Sequence, residues 1–462
     1  MKYLAITLLA AAVLVTAGTK EIKKNIPVTD IRTVEILGFE GSTINIKTWA
    51  KNEISIHIKI DYTVSDKEKE KELLQLFDMV QEQVGDRILL RFNEPKRLNN
   101  SFSFKEFFSS LFSSTYSHLT VSGEIIVPSH CNLSSDMRYG TYSVEGLSGD
   151  LNLSGASNTL TVKNSSAVKK IENNYGTTTI DQCGGNLELD GESSKITVNN
   201  FKGSVNANAN YSAITYDNIL QDVMTVCSSG SIHIDGVGGN LSLNASYSKI
   251  KIDKVKGSAD IESQSATIRV KSAGGVSMKA PYSNIFIETV TGSGDPVYVQ
   301  NTSGRIDIAD VSRDIRIDDS YSQITITAVL GNVTVNGNGT TLKGKKITGL
   351  FTMKNQYGDI RVEELSASMV EIHNKSNNVE IELLTKPTKL DIINEYGPVS
   401  VSLPDYSGEV RLKASYGTIK TNLPIEIEEM GGGEIAIGKV GNGNSSMNIK
   451  TVSGNIEVRQ HK

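Results

Sequence analysis

From about residue 130 onward, apolar and polar positions recur on an 18-residue period. One unit runs from Asn240 to Gly257. It holds two alternating apolar pairs, Leu241 with Leu243 and Ile250 with Ile252, and a polar turn, Ser246-Tyr247-Ser248, between them. A third apolar residue, Val255, and the closing Gly257 complete it. Glycines close equivalent units at Gly185, Gly203, Gly239 and Gly275, and the register returns after an irregularity at Gly331 and Gly349. Stacking the units gives one apolar column through Ile196, Ile214, Ile232, Ile250, Ile268, Ile285, Ile306, Ile324 and Ile360. Two residues later comes a second, through Val198, Tyr216, Ile234, Ile252, Val270, Ile287, Ile308, Ile326 and Val362. The residue between the two is mostly polar (Thr197, Thr215, His233, Lys251, Arg269), which is the period-2 alternation of a strand with one buried face. A third apolar column passes through Phe201, Ile219, Val237, Val255, Ala273, Val290, Val311 and Val329. Short strands at a fixed period predict an all-β, right-handed parallel β-helix, in which each coil covers its neighbour.

A slower rhythm overlies the first. Tyr139, Tyr175, Tyr211 and Tyr247 lie 36 apart, and Tyr282, Tyr321, Tyr357 and Tyr396 continue them with small slips. Ser193, Ser229, Ser265 and Ser303 fall halfway between. Either an 18-residue coil carries Tyr on every second level, or a flattened coil is 36 residues long; the pattern admits both.

The region before the repeat reads differently. Residues 30 to 62 alternate as strands, for example Ile44 with Ile46, and Ile54 through Ile60. Ser65 and Glu68 form a capping box for a helix whose apolar face is Leu73, Leu76, Phe77, Val80 and Val84, with Gly85 as its stop. A strand, Arg87 to Phe92, follows. This set predicts an N-terminal α+β cap over residues 18–128, with the solenoid occupying 129–462. Within the cap, Phe104, Phe107, Phe108, Leu111 and Phe112 follow helical spacing, opposite Lys105, Glu106, Ser109 and Ser110. They form either a helical insertion packed on the cap or an aromatic face for a partner or membrane surface. At the other end, the Gly-rich coils from Gly431 to Val458 promise less shielding than the cap.

Composition sharpens the class. Gly is frequent, Pro scarce and Trp single, a mixture suited to many strands and tight turns. The net charge of −5 at pH 7 supplies no basic field for nucleic acid. Residues 1–17 carry a signal-peptide pattern: Lys2, an apolar run from Leu4 to Val15, and Val15-Thr16-Ala17 before Gly18. That run is short for a bilayer span, and no later segment reaches transmembrane length. Export to the periplasm, cell surface or medium is therefore expected. Cys131, Cys183 and Cys227 are an odd number without metal-ligand spacing. Cys183 falls in the third apolar column and Cys227 at the small position shared with Ala209 and Ala245, so they read as buried hydrophobes.

These features together resemble the bacterial "putative adhesin" families, including auto-transporter-adhesin head-like domains of unknown function. The residues carrying the likeness are the signal peptide, the Ile44–Lys47 strand, the Ile126-Val127-Pro128 entry, and the units Gly358 to Val362 and Gly454 to Val458. The resemblance implies an exported β-helix of the cell envelope and transfers no catalytic residue.

Some β-solenoids are polysaccharide lyases or hydrolases, which need acidic groups gathered on one face. The strongest such pattern is Asp217, Asp235 and Asp253, each 18 apart, a column that could also attract a cation. Asp at strand ends beside Lys251 and Arg269 is equally an ordinary turn residue. Asp307, Asp310, Asp314, Asp318 and Asp319 lack a calcium-loop pattern and read as solvated turns. Scattered histidines offer no zinc pair. The expectation is a non-enzymatic envelope or surface protein, adhesin-like or scaffolding, with no cofactor and with a surface glycan or envelope protein as partner. Its alternatives are a carbohydrate-active enzyme, or an accessory module using residues 104–112.

Overall fold

The 18-residue repeat is one coil of a parallel β-solenoid. In the computed structural model, which describes residues 16–64, 67–92, 116–292 and 294–461, Ile214 pairs with Ile232, Ile232 with Ile250, and Ile250 with Ile268 on successive parallel rungs. The coil is therefore 18 residues, and the 36-residue alternative falls. Each coil contributes a strand to each of two ladders, and the apolar columns point between them. Ile250, Ile252 and Val255 are buried, as are their counterparts Ile324, Ile326 and Val329. Strands of this kind exist because their neighbours supply both hydrogen bonds and apolar cover; a lone coil would expose both faces of its layer.

The chain divides into two units, residues 1–202 and 203–462. In the first, spatial order departs from chain order. One ladder runs Thr16–Pro27, Glu53–Val64, Tyr116–Pro128, Thr43–Trp49, Thr141–Glu145. The other runs Met79–Val84, Arg87–Phe92, Thr33–Leu37, Asn132–Arg138. The earliest coil, residues 33–49, is thus held between the strands Arg87–Phe92 and Tyr116–Pro128 on one side and the first regular repeat on the other. Antiparallel strands then close both ladders: Glu53–Val64 with Thr16–Pro27 on one, and Met79–Val84 on the other. An unpaired parallel edge would otherwise template further strands. The helix Lys67–Leu76 leans on this end, where Lys20 Nζ donates to Leu74 O at 2.6 Å and Tyr62 Oη to Glu70 at 2.7 Å. Phe77 meets Phe92 edge-on at 5.2 Å, and Phe92 lies 4.4 Å from Phe39.

The helix is shorter than its apolar spacing predicts. Met79–Val84 is a strand antiparallel to Arg87–Phe92, and Val84 is exposed. Gly85, with φ 62°, opens a two-residue turn whose left-handed first position suits glycine and matches strand twist. Pairing with an existing edge outweighs a helical periodicity that would have left Val80 and Val84 without a surface to cover. Ser65, the signal-peptide core and the aromatic run 104–112 lie outside the described residues.

The second unit ends with the same reversal. The coil 389–403 pairs with the final coil, 445–460, which in turn pairs with the coil 408–421. The last residues of the repeat are therefore inserted between two coils that precede them. Gly433–Val440 runs antiparallel along Gly408–Tyr416, and Glu428–Met430 adds to it. One of the two edges here is covered by that hairpin, whereas near the N-terminus antiparallel strands close both ladders, in line with the lesser shielding expected of this end. The mid-unit irregularity also has a cause. Arg313 donates to Gly292 O at 2.9 Å and to Asp295 O at 2.7 Å, tying down a loop that absorbs extra residues away from the Tyr turn.

Among the described residues no helix is long and apolar enough to cross a membrane.

Candidate functional site

Every coil must turn sharply between its two strands, and at this turn the chain does something unusual. Tyr139, Ser157, Tyr175 and Ser193 in the first unit all have positive φ, between 52° and 60°. Tyr211, Ser229, Tyr247, Ser265 and Tyr282 in the second do likewise, between 53° and 59°. The left-handed region costs an L-residue with a Cβ roughly 1–2 kcal/mol, and glycine or asparagine is the usual occupant. A tyrosine there is a bulky residue in an unfavourable backbone. The turns stack by backbone hydrogen bonds: Tyr139 N to Ala156 O and Ser157 N to Asn174 O in one unit, Tyr211 N to Ser228 O, Ser229 N to Ser246 O and Tyr247 N to Gln264 O in the other.

Buried polar side chains just inside the turn hold it. In the first unit Asn173 Nδ2 donates to Asn158 O (3.1 Å) and Thr178 Oγ1 (3.0 Å), and Ser194 Oγ donates to Asn173 O (2.9 Å). In the second, Ser248 Oγ accepts from Gly230 N (3.1 Å) and donates to Ser246 O (2.9 Å), and Ser283 Oγ accepts from Ala266 N (3.0 Å). Later coils use Asp319, whose carboxylate accepts from Ser322 N (2.8 Å), Ser322 Oγ (2.6 Å) and Thr340 Oγ1 (2.6 Å). Asn355, Asn374 and Asn394 follow, donating to the turn carbonyls of Tyr357, Ser376 and Gly397. Unpaired polar atoms at these depths are costly; the ladder braces the turn and pairs the buried groups named above except Asn374 Oδ1, which has no hydrogen-bond partner. Asp319 therefore departs from the solvated-turn reading.

Outside this brace the tyrosine rings face solvent, from 49% exposed at Tyr357 to 66% at Tyr416. In the second unit their spatial order is regular. Tyr211, Tyr247 and Tyr282 alternate with Ser229 and Ser265; Ser303 pairs with Tyr321; Tyr357 pairs with Ser376, and Ser376 with Tyr396. The inserted final coil continues the alternation, since Ser453 pairs with Tyr396 on one side and Tyr416 on the other. Tyr396 and Tyr416 are close in sequence yet two rungs apart in space. The period search missed Tyr416 because the chain reversal breaks the sequence spacing. With about 4.8 Å per rung, rings recur every ~9.6 Å. At Gly339 the small residue has a steric reason: a Cβ there would meet Tyr321 Cδ1 at 2.5 Å, so the Tyr321 ring lies over that level.

Other candidates resolve differently. Asp217 and Asp235 are neighbours in register, but a bulge pairs Asp235 with Lys254, which displaces Asp253 from the column. Asp253 is bonded to Lys251 at 2.6 Å, and that ammonium holds its carboxyl below the usual range. Asp253 is thus drawn into a local ion pair and off the column that Asp217 and Asp235 share. Asp307 and Asp318 pair with Arg305 (2.7 Å) and Arg316 (3.3 Å). Among the described residues no group of His, Cys, Asp and Glu gathers as a metal site. Cys131, Cys183 and Cys227 are buried and unbridged, and burial pushes all three thiols up. Tyr216, unlike the edge tyrosines, is fully buried and bonds Thr225 across the core at 3.1 Å. Phe104, Phe107, Phe108, Leu111 and Phe112 lie outside the described residues.

Residues 273–459 match the model of the Toastrack DUF4097 family, a domain of unknown function. This supports the resemblance in its coarse form, a β-helical domain family, over less than half of the chain. Two solved structures are similar at low identity. One is titled a "putative cell adhesion protein" from Clostridium sporogenes, with 10% identity over 96% of this chain and 100% of that one, at a TM-score of 0.19. The other is titled a "putative lipid binding protein" from Parabacteroides distasonis, with 12% identity over 77% of this chain and 96% of that one, at a TM-score of 0.17. At those values neither carries an argument about this chain. No curated protein matches the sequence.

Proposed function

We propose that this chain is a non-catalytic protein of the cell envelope or surface, exported through residues 1–17, that works as an adhesin-like rail or scaffold and engages its partner along the tyrosine edge. One observation carries the reading. Tyrosine keeps its place on alternate rungs while the backbone beneath it changes. At Tyr211, Tyr247 and Tyr282 the tyrosine itself is left-handed, whereas beside Tyr357 and Tyr396 the positive φ has moved to Gly358 (127°) and Gly397 (149°). The side chain, and not the turn, is what the positions have in common. Rings held apart and exposed add little to a core; their amphipathic faces suit an interface, where tyrosine is enriched.

The test has two parts. Surface proteolysis of intact cells locates the protein, and the purified mature chain is offered to isolated envelope fractions, as wild type and with Tyr247, Tyr282 and Tyr321 changed to Ser. Ser is already accommodated at this turn, at Ser229 and Ser265, so the variant should fold. Lost envelope binding supports the edge as the working face; unchanged binding refutes it. The variant Phe107→Ser with Phe108→Ser asks whether residues 104–112 contribute a second contact, seen as weaker vesicle or envelope binding at unchanged Tm. For the enzymatic alternative, Asp235→Asn with Asp253→Asn is compared with wild type on a polysaccharide panel. The non-catalytic reading expects no turnover by either protein.

A further inference from the structure

We infer that the tyrosine edge of the second unit is a binding rail for a linear, β-linked polysaccharide that lies along the stacked turns, one sugar face on each ring. The inference rests on the reading of that edge as the working face, and goes beyond it by naming the ligand class and its repeat.

The spacing is the first argument. Rings two rungs apart recur every ~9.6 Å, through Tyr211, Tyr247, Tyr282 and Tyr321 and on to Tyr416. In a β-1,4-linked glycan each pyranose is flipped relative to the last, so the same face returns on every second sugar, at a repeat close to this one. A ligand with that period meets each ring in the same way. An extended peptide does not: its side chains return to one face every ~6.7 Å.

Chemistry is the second. A pyranose face presents axial C–H groups to an aromatic ring and equatorial hydroxyls to its surroundings. The edge matches both needs. Between the rings lie small polar residues, Ser229, Ser265, Ser303, Ser376 and Ser453. On the ring side Asn338 Nδ2 already donates to Tyr321 Oη at 3.1 Å, fixing that ring on its turn. The edge carries no run of like charge at the Tyr positions themselves, which favours a ligand recognised by stacking over one recognised by charge.

Shape is the third. A polyproline II peptide repeats every three residues at ~9.3 Å and so shares the spacing. Such peptides are bound in aromatic-lined grooves, whereas these rings stand on the outside of a turn. The surface grooves of this unit, about 760 and 740 Å³, are lined by other residues, among them Arg313 and Arg316 in one and Arg411 and Lys450 in the other. Preorganisation is the fourth: the buried Ser, Asp and Asn ladder holds each turn in place, so little ordering is left to binding.

The experiment uses the full mature chain. Isothermal titration with soluble β-1,4-linked glucose and N-acetylglucosamine oligomers of increasing length is run beside β-1,3- and α-1,4-linked oligomers and a polyproline peptide. Affinity should step upward with each added pair of sugars in one of the two β-1,4-linked series, by about three- to tenfold per additional ring engaged, and an equal gain with the β-1,3- or α-1,4-linked oligomers overturns the spacing argument. The Tyr247, Tyr282 and Tyr321→Ser variant should lose that gain at unchanged circular dichroism. A second variant, Tyr282→Ser with Ser265→Tyr, keeps the number of rings and breaks their spacing, and should bind long oligomers as weakly as a deletion. Binding of polyproline but no glycan overturns the inference in favour of a peptide ligand. Failure of every ligand, while the triple variant still loses envelope binding, overturns the glycan and leaves the working face standing. Unchanged envelope binding by the triple variant removes both.

Discussion

The two ends of this chain solve one problem with one device and different thoroughness. At each, the terminal coil in sequence is not the terminal coil in space. Residues 33–49 are covered by the strands Arg87–Phe92 and Tyr116–Pro128, and residues 445–460 are covered by the coil 408–421. Each terminal coil thereby gains hydrogen bonds and apolar cover on both sides, where an ordinary end coil would have one. The outermost layers differ. Near the N-terminus both ladders finish in antiparallel strands and a helix leans on them. Near the C-terminus only one ladder does, and the other ends at Ile419–Thr421, a strand of three residues. A very short edge strand is itself a poor template for pairing. The comparison teaches that an end can be protected by covering an edge or by keeping it small.

The largest expected effect comes from removing an inserted coil. Deleting residues 445–462 strips the coils on either side of their shared parallel neighbour, and should give insoluble or partly unfolded protein. Deleting residues 18–27, which pair on one side only, should leave soluble protein with a Tm lower by several degrees. Equal losses would break the distinction between inserted and edge strands. Next, Ile449→Ala and Ile46→Ala, both fully buried in the inserted coils, should each cost about 2–5 kcal/mol in denaturant unfolding. A cost below 1 kcal/mol at either site would mean that its coil is not core. Third, replacing residues 425–443 with a Gly–Ser linker uncovers Gly408–Tyr416, and should raise self-association in sedimentation velocity with a modest fall in Tm.

The smallest effect concerns the N-terminal edge. Asp61, on the strand Glu53–Val64, accepts from Lys59, at 2.7 Å, and from Thr19 on the outermost strand, and these bonds lower its carboxyl below the usual value. Because the folded pKa is depressed, the contribution is present above the unfolded value, near 3.9, and lost as pH falls through the folded one. Asp61→Asn should therefore speed amide exchange in residues 18–27 slightly at pH 6, and the difference should shrink as pH falls through the folded value and the wild-type carboxyl gains its proton. A difference that does not narrow with falling pH would assign the effect to packing.

Much of this was legible before any coordinates. Alternation at Ile232, Ile234, Ile250 and Ile252 specifies strands, and its recurrence every 18 residues specifies stacking, since side-chain period and repeat length are local properties that each repeat states again. The positions of Tyr211, Tyr247 and Tyr282 were legible for the same reason. Less local matters were not. Helical spacing at Val80 and Val84 could not reveal that a strand edge lay waiting for Met79–Val84, and the 18-residue spacing of the Asp residues could not reveal the bulge that displaces Asp253.

By itself, then, the sequence determined the 18-residue repeat, its buried columns and the tyrosine on every second repeat; that one repeat is one whole coil was decided by the pairing of successive rungs. Only the tertiary structure decided the order of coils at the two ends, the left-handed backbone under each early tyrosine, the role of Asp319 in bracing the turn, and the place of Tyr416 in the row. The physical reason is range. Periodicity encodes contacts between a residue and its equivalent one coil away, whereas an inserted coil and a shared edge are set by which surface remains uncovered once the rest of the chain has packed.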